Sequence, residues 1–167
     1  MQQDQAIHKK ADGGHPKTAA SRYRHLLLMS LLSFVAMYIL MYAMVDVIGN
    51  VYNSVNQVYM AGLMTAPMIV IELLVMSGMY QDKRRNVVIL GGALAAGVVL
   101  FAFIRWQTAV GDRQFLRSMI PHHASAILMC EQAPIQDPEI KALCGNIIKS
   151  QQAEIDQMKA KLRQLSE

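Results

Sequence analysis

Charge is scarce in this chain, and no catalytic constellation stands out in it. Only 17% of its 167 residues are Asp, Glu, Lys or Arg, against 53% hydrophobic, which lies on the greasy side of the soluble range. No Glu-x-x-His pair occurs anywhere, so a ferritin-like di-iron centre is unsupported. There is no Gly-rich phosphate loop and no nucleophile–base–acid set, and the chain is not expected to be an enzyme. The net charge of +4 is modest, and its basic residues are not interleaved with aromatics. Nucleic acid is therefore not an expected partner.

What is plentiful is apolar sequence, gathered into three long runs within residues 23–106. The first covers about residues 25–48 and exceeds the roughly 20 residues needed to cross a bilayer core. It is too long for a signal-peptide core and ends in no small-residue cleavage site, so it is read as retained. The second covers about residues 58–80 and the third about 86–106, separated by the polar loop Gly49–Gln57 and the basic turn Asp82-Lys83-Arg84-Arg85. Residues 1–22 are polar and aperiodic, and are read as a disordered cytoplasmic tail. Its histidines, His8 and His15, and the nearby His25 are irregularly spaced with no cysteine beside them, a poor ligand set.

Lys and Arg set the expected orientation. They crowd the N-terminal segment and the second loop and are absent from the first loop. Positive charge stays inside, so the N-terminus is expected in the cytoplasm, in a bacterial inner (plasma) membrane. The C-terminal segment then lies in the periplasm.

Residues 107–167 carry helical rather than membrane-spanning periodicity. Phe115, Leu116, Met119, Ile120, His123, Ile127 and Cys130 recur at helical spacing after a start at Gly111-Asp112. Pro134, Asp137 and Pro138 mark a turn, with Asp137 as N-cap and Pro138 in the first helical position. Beyond it Ile140, Cys144, Ile147, Gln151, Met158, Leu162 and Leu165 form a second stripe. The expected fold is therefore all-α: three transmembrane helices followed by a periplasmic two-helix hairpin. Two helices bury little surface alone, so the hairpin is expected to pair with a second copy or to rest on the membrane domain. Cys130 and Cys144 each lie seven residues from Asp137. Antiparallel helices bring them level, either as a disulfide, as a thiolate pair in a metal site, or as buried thiols.

The densest cluster of ligating side chains is Met119-Ile120-Pro121-His122-His123, followed by Met129 and Cys130. Adjacent histidines point about 100° apart on a helix, so one can face the hairpin partner and the other a flank. Thioether and imidazole together suit Cu(I) better than hard cations. The plainer reading is a satisfied core histidine with methionine as gap-filler.

These residues, with Asp112, Phe115, Pro138-Glu139-Ile140, Gln151, Glu154-Ile155 and Met158, resemble a bacterial family catalogued as domain of unknown function 305. The resemblance spans about residues 112–163 and rests on the Met-x-Pro-His-His core. It implies a ferritin-like helical fold and copper binding through His and Met. Carried onto this chain, it implies Met119, His122, His123, Met129 and Met158 as ligands. Soluble members often carry a longer or duplicated motif, whereas one copy stands here, so a complete site is expected to need a second subunit.

The spans hold a second pattern. Met60, Met64, Met68, Glu72 and Met76 fall at every fourth residue of the second run, and Met37, Met41 and Met44 share a face of the first. The first two runs hold nine of the chain's 13 methionines and the third holds none. An acidic residue inside a span is costly and usually faces the bundle or water. The stripe is either a membrane path for copper or a packing surface with Glu72 bonded to a neighbouring Tyr or Ser. Gly91, Gly92, Ala93, Ala96 and Gly97 suit close helix contact in the third run. The function expected is thus Cu(I) binding in periplasmic copper homeostasis or resistance, in a homo-oligomer set in inner-membrane lipid and exchanging metal with a donor or acceptor protein. Copper transport, or a structural membrane protein without metal, is the alternative.

Overall fold

The computed structural model describes residues 19–165; His8, His15 and the rest of the N-terminal tail up to residue 18 lie outside the described residues. The described secondary structure is all helical. Helices α1 (Ala19–Leu40), α2 (Val55–Val75) and α3 (Lys83–Trp106) are followed by α4 (Asp112–Gln132) and α5 (Pro138–Gln164). Between α1 and α2 lie two 3-10 turns, Met41–Met44 and Ile48–Asn50. Three segments, Ala20–Met44, Val55–Val75 and Lys83–Trp106, are long and apolar enough to cross a membrane. The most apolar stretches of the first and third are only 6% buried within the protein. Such surfaces need lipid or partner helices to cover them.

The ends of these helices follow local chemistry more than hydropathy. The first is already helical at Ala19, the first described residue, inside the segment that composition alone assigns to the tail. Its early residues are anchored: Arg22 donates to the Met79 carbonyl at 2.6 Å, and the Tyr23 hydroxyl donates to Asn86 Oδ1 at 2.7 Å. The second helix begins at Val55 because Ser54 caps it, its side chain accepting from the Gln57 N–H. It stops at Val75, short of Tyr80, where Ser77-Gly78 are weak helix formers. Asp82 caps the third helix by accepting from the Arg85 N–H at 3.0 Å. Pro67 and Pro121 lie within continuous helices, each leaving the carbonyl four residues earlier without its helical donor.

The second and third helices pack on small residues. A Cβ on Gly62 would come within 2.8 Å of the Leu100 side chain, and one on Gly97 would meet Ala66 at 3.5 Å. Ala93 is buried in the same seam. Gly91 and Gly92, from the same run of small residues, face open space.

Between α3 and α4 the chain breaks at residues 107–111. Gln107 and Ala109 both take left-handed backbone angles, with φ of 51° and 59°. Gln107 caps α3, and the linker is held from α2, where Asn56 Nδ2 donates to Gln107 Oε1 and the Tyr59 hydroxyl to the Thr108 carbonyl.

Helices α4 and α5 form an antiparallel hairpin closed near its turn by a Cys130–Cys144 disulfide, the Cα atoms 5.2 Å apart. Asp137 caps α5 by accepting from the Glu139 and Ile140 N–H groups, and Pro138 follows it directly. The hairpin core is Ile120, Ala124, Ile127, Ile155 and Leu162. Ile155 is wholly buried, although the spacing read from the sequence passes from Gln151 to Met158 without it. Phe115 and Ile140, placed on the apolar stripes by spacing, are 50% and 48% exposed. The hairpin is not free-standing. Val45 and Tyr52, from the segment joining α1 to α2, pack on its core, and Gln114 Oε1 accepts from the Val55 N–H at 3.0 Å.

Candidate metal site

The adjacent histidines of α4 have different fates. His123 is buried at 9% exposure and both of its ring nitrogens are engaged. Nδ1 lies 2.9 Å from the Met119 carbonyl and Nε2 lies 2.7 Å from Glu154 Oε2 on α5. A carbonyl can only accept, so Nδ1 is the donor to Met119, and Nε2 is paired with the carboxylate across the hairpin. His123 therefore ties α4 to α5, and both of its ring nitrogens face partners within the protein. The family resemblance implies His123 as a ligand; the structure places it within the hairpin, between Met119 and Glu154.

His122 is exposed, its ring 6.2 Å from that of His123 and steeply inclined to it. Among the described residues neither of its nitrogens takes part in a hydrogen bond given by the structure. It opens on a cleft of about 250 Å³ between α4 and the hairpin-side ends of the first two spans. Met41, Met44 and Met60 line that cleft together with His122 and Gln57.

Local geometry explains why Met41, Met44 and Met60 line one cleft. Residues 41–44 wind as a 3-10 turn, in which positions i and i+3 eclipse, so Met41 and Met44 lie along one side. Tyr42, between them, fixes the turn: its hydroxyl donates to the Tyr52 carbonyl at 2.9 Å and sits 2.6 Å from Gln57 Oε1. Met60 stands one turn beyond Gln57 on α2.

The other methionines predicted as ligands are distributed differently. Met129 lies two turns beyond His122 and is 51% exposed. Met158 packs against the hairpin core. The hairpin register places Met119 level with Met158, one turn beyond the His123–Glu154 pair. Cys130 and Cys144 are consumed in the disulfide and offer no thiolate. Among the described residues no group of three or more His, Cys, Asp or Glu side chains is placed to hold a metal, so any site here depends on thioether sulfur.

The stripe on α2 flanks the seam between helices and does not fill it. Buried positions are Ala61, Thr65, Ala66 and Leu73, while Met60, Met64 and Met76 are 39%, 43% and 37% exposed and Met68 is half-buried. Thr65 Oγ1 approaches Met37 Sδ at 3.8 Å across the α1–α2 seam. Glu72 accepts from the Tyr80 hydroxyl at 3.2 Å. Burial, and then the Glu72 carboxylate, raise the Tyr80 hydroxyl above its ordinary value, so it remains a donor. Both residues border a larger cavity, about 580 Å³, at the end away from the hairpin. Its walls combine Leu26, Leu28 and Leu32 with Arg22, and His25, Met29 and Met79 border it as well; there the His25 Nδ1 lies 2.6 Å from the Ser21 carbonyl and the Arg22 guanidinium brings positive charge beside it.

The fold and the site define a class: a membrane-competent three-helix unit carrying a disulfide-closed helical hairpin, with soft donors where the two meet. The family described as "Domain of unknown function (DUF305)" matches residues 96–165, from the second half of α3 to the end of α5. An uncharacterized protein of Acanthamoeba polyphaga mimivirus is 35% identical over 136 residues, covering 80% of this chain and 88% of the viral protein. The chain belongs to the DUF305 family. The viral match is longer than the hairpin, so the likeness extends into the apolar helices. No solved structure matches.

Proposed function

We propose that this protein is a membrane-anchored Cu(I)-binding protein of copper homeostasis or resistance, set in a bacterial inner membrane with its N-terminus in the cytoplasm and its hairpin in the periplasm. The observation that carries the reading is the division of labour within Pro121-His122-His123. His123 is spent on holding α5 through Glu154, while His122 keeps an unengaged imidazole at a cleft that Met41, Met44 and Met60 line among serine and amide side chains. Imidazole with thioether is a soft donor set that prefers Cu(I) to Mg²⁺ or Ca²⁺. With neither thiolate nor carboxylate at the cleft, it is poorly suited to a closed zinc site. The lack of basic residues in the first loop supports the orientation, and the lipid-exposed spans make inner-membrane lipid and a second copy of the chain the natural partners. Metal held this way exchanges with a soluble donor or acceptor protein.

The test is a Cu(I) competition titration on the full chain in detergent, beside His122→Ala. Tight uptake by the wild type that falls at least about tenfold in the variant is the expected result. A wild-type chain that takes up no Cu(I) ends the copper reading.

A further inference from the structure

Given that copper reading, we infer that the ligands completing the His122 site are the membrane-arm methionines Met41, Met44 and Met60, not Met119, Met129 and Met158 of the hairpin. The Cu(I) site is thus composite, assembled only where the hairpin docks on the first two spans.

Three observations converge on it. First, His122, Met41, Met44 and Met60 border one cleft of about 250 Å³, large enough for an ion and its ligating side chains. Second, the walls are held by contacts independent of any metal. The Tyr42 hydroxyl fixes the 3-10 turn to Tyr52 and Gln57, and Gln114 on α4 accepts from the Val55 N–H. Val45, next to Met44, packs on the hairpin core. Third, the hairpin's own methionines are poorly placed to serve His122. Met158 packs against the hairpin core, and neither Met119 nor Met129 is among the side chains that line the cleft.

Three thioethers and one imidazole make a neutral, soft, four-donor set. Such a set takes monovalent Cu(I) or Ag(I) with little charge to attract divalent ions. Methionine side chains rotate freely about three bonds, so sulfur atoms that line a cleft can converge on an ion without backbone movement. The position also matters: the ion would sit at the boundary between the hairpin and the apolar helices, within reach of both.

The experiment uses the full chain in detergent micelles and three variants: Met41→Leu/Met44→Leu/Met60→Leu, Met119→Leu/Met129→Leu/Met158→Leu, and His122→Ala. Leucine keeps the side-chain bulk, and thermal unfolding without metal checks that each variant is folded. The expected result is that the membrane-arm triple and His122→Ala each lower Cu(I) affinity by at least about tenfold, while the hairpin triple stays within about threefold of wild type. X-ray absorption of the wild-type Cu(I) form should show several sulfur scatterers with one nitrogen, the sulfur shell collapsing in the membrane-arm triple. If the hairpin triple and His122→Ala lose binding while the membrane-arm triple keeps it, the composite site is wrong and the copper function stands. If the wild type shows no sulfur ligands, the composite site is likewise overturned. If no form binds Cu(I), the copper reading fails, and this inference with it.

Discussion

At the scale of single residues, the two histidines should separate stability from binding. Glu154→Ala leaves the buried Nε2 of His123 without its carboxylate. A charge-assisted bond of this kind contributes up to about 3 kcal/mol when buried. Glu154 is half exposed, so solvent screening brings the expected loss down to about 1 kcal/mol. His122→Ala removes an exposed side chain and should change stability by less than about 0.5 kcal/mol. Thermal unfolding of both variants in detergent, with and without Cu(I), checks this. Glu154→Ala should lower the apo melting temperature yet keep the upward shift on Cu(I) addition, and His122→Ala should do the reverse. A Glu154→Ala protein as stable as wild type would mean that His123 is not what ties α4 to α5. Helical spacing shows that His122 and His123 point apart, but it cannot say which of them is spent. The deciding partner lies 31 positions away on the other arm. A usable signal was present: extending the Cys130–Cys144 register by two turns brings His123 level with residues 151–154. The cleft methionines were visible only as members of separate stripes. What joins Met41 and Met44 to His122 is a 3-10 turn and a docked hairpin, and neither has a sequence period.

At the scale of elements, the linker between α3 and α4 carries a testable strain. Ala109 holds φ at 59°, a region that costs a residue with a Cβ about 1–2 kcal/mol. Ala109→Gly relieves that cost but frees the unfolded chain, for an expected net gain of roughly 0.5–1 kcal/mol. A rise in melting temperature with unchanged Cu(I) affinity is the result to look for. A fall would show that the linker's geometry is not under strain. The existence and order of the helices were legible from sequence, because apolar runs of bilayer length and a proline-marked turn leave few alternatives. Their ends were less so. Hydropathy places the first span at about residues 25–48, but Arg22 and Tyr23 are already helical and have partners of their own, and the chain tightens into a 3-10 turn from Met41. The hairpin's second stripe departs from its sequence spacing at Ile155 for a related reason. Gln151 and Met158 both fit a period of 3.5, and only the packing of α4 against α5 shows that Ile155 lies between them, facing the core.

At the scale of the whole molecule, the two halves depend on each other. The hairpin core borrows Val45 and Tyr52 from the membrane arm, and the cleft exists only because α4 is seated there. The hairpin has its own core and a disulfide closing a loop of 14 positions. A cross-link of that span contributes about 3 kcal/mol by restricting the unfolded chain, which favours a hairpin that holds its shape after release. A protease site inserted between Gln107 and Gly111 tests the dependence directly. Cutting there should free a helical, disulfide-linked fragment, seen by circular dichroism, whose Cu(I) affinity is at least about tenfold below that of the uncut chain. The physical reason is that His122 leaves with the fragment while Met41, Met44 and Met60 stay behind in the membrane arm. Folded fragment with full affinity would locate the whole site in the hairpin. It would return Met119, Met129 and Met158 to the ligand set and reduce the three spans to an anchor.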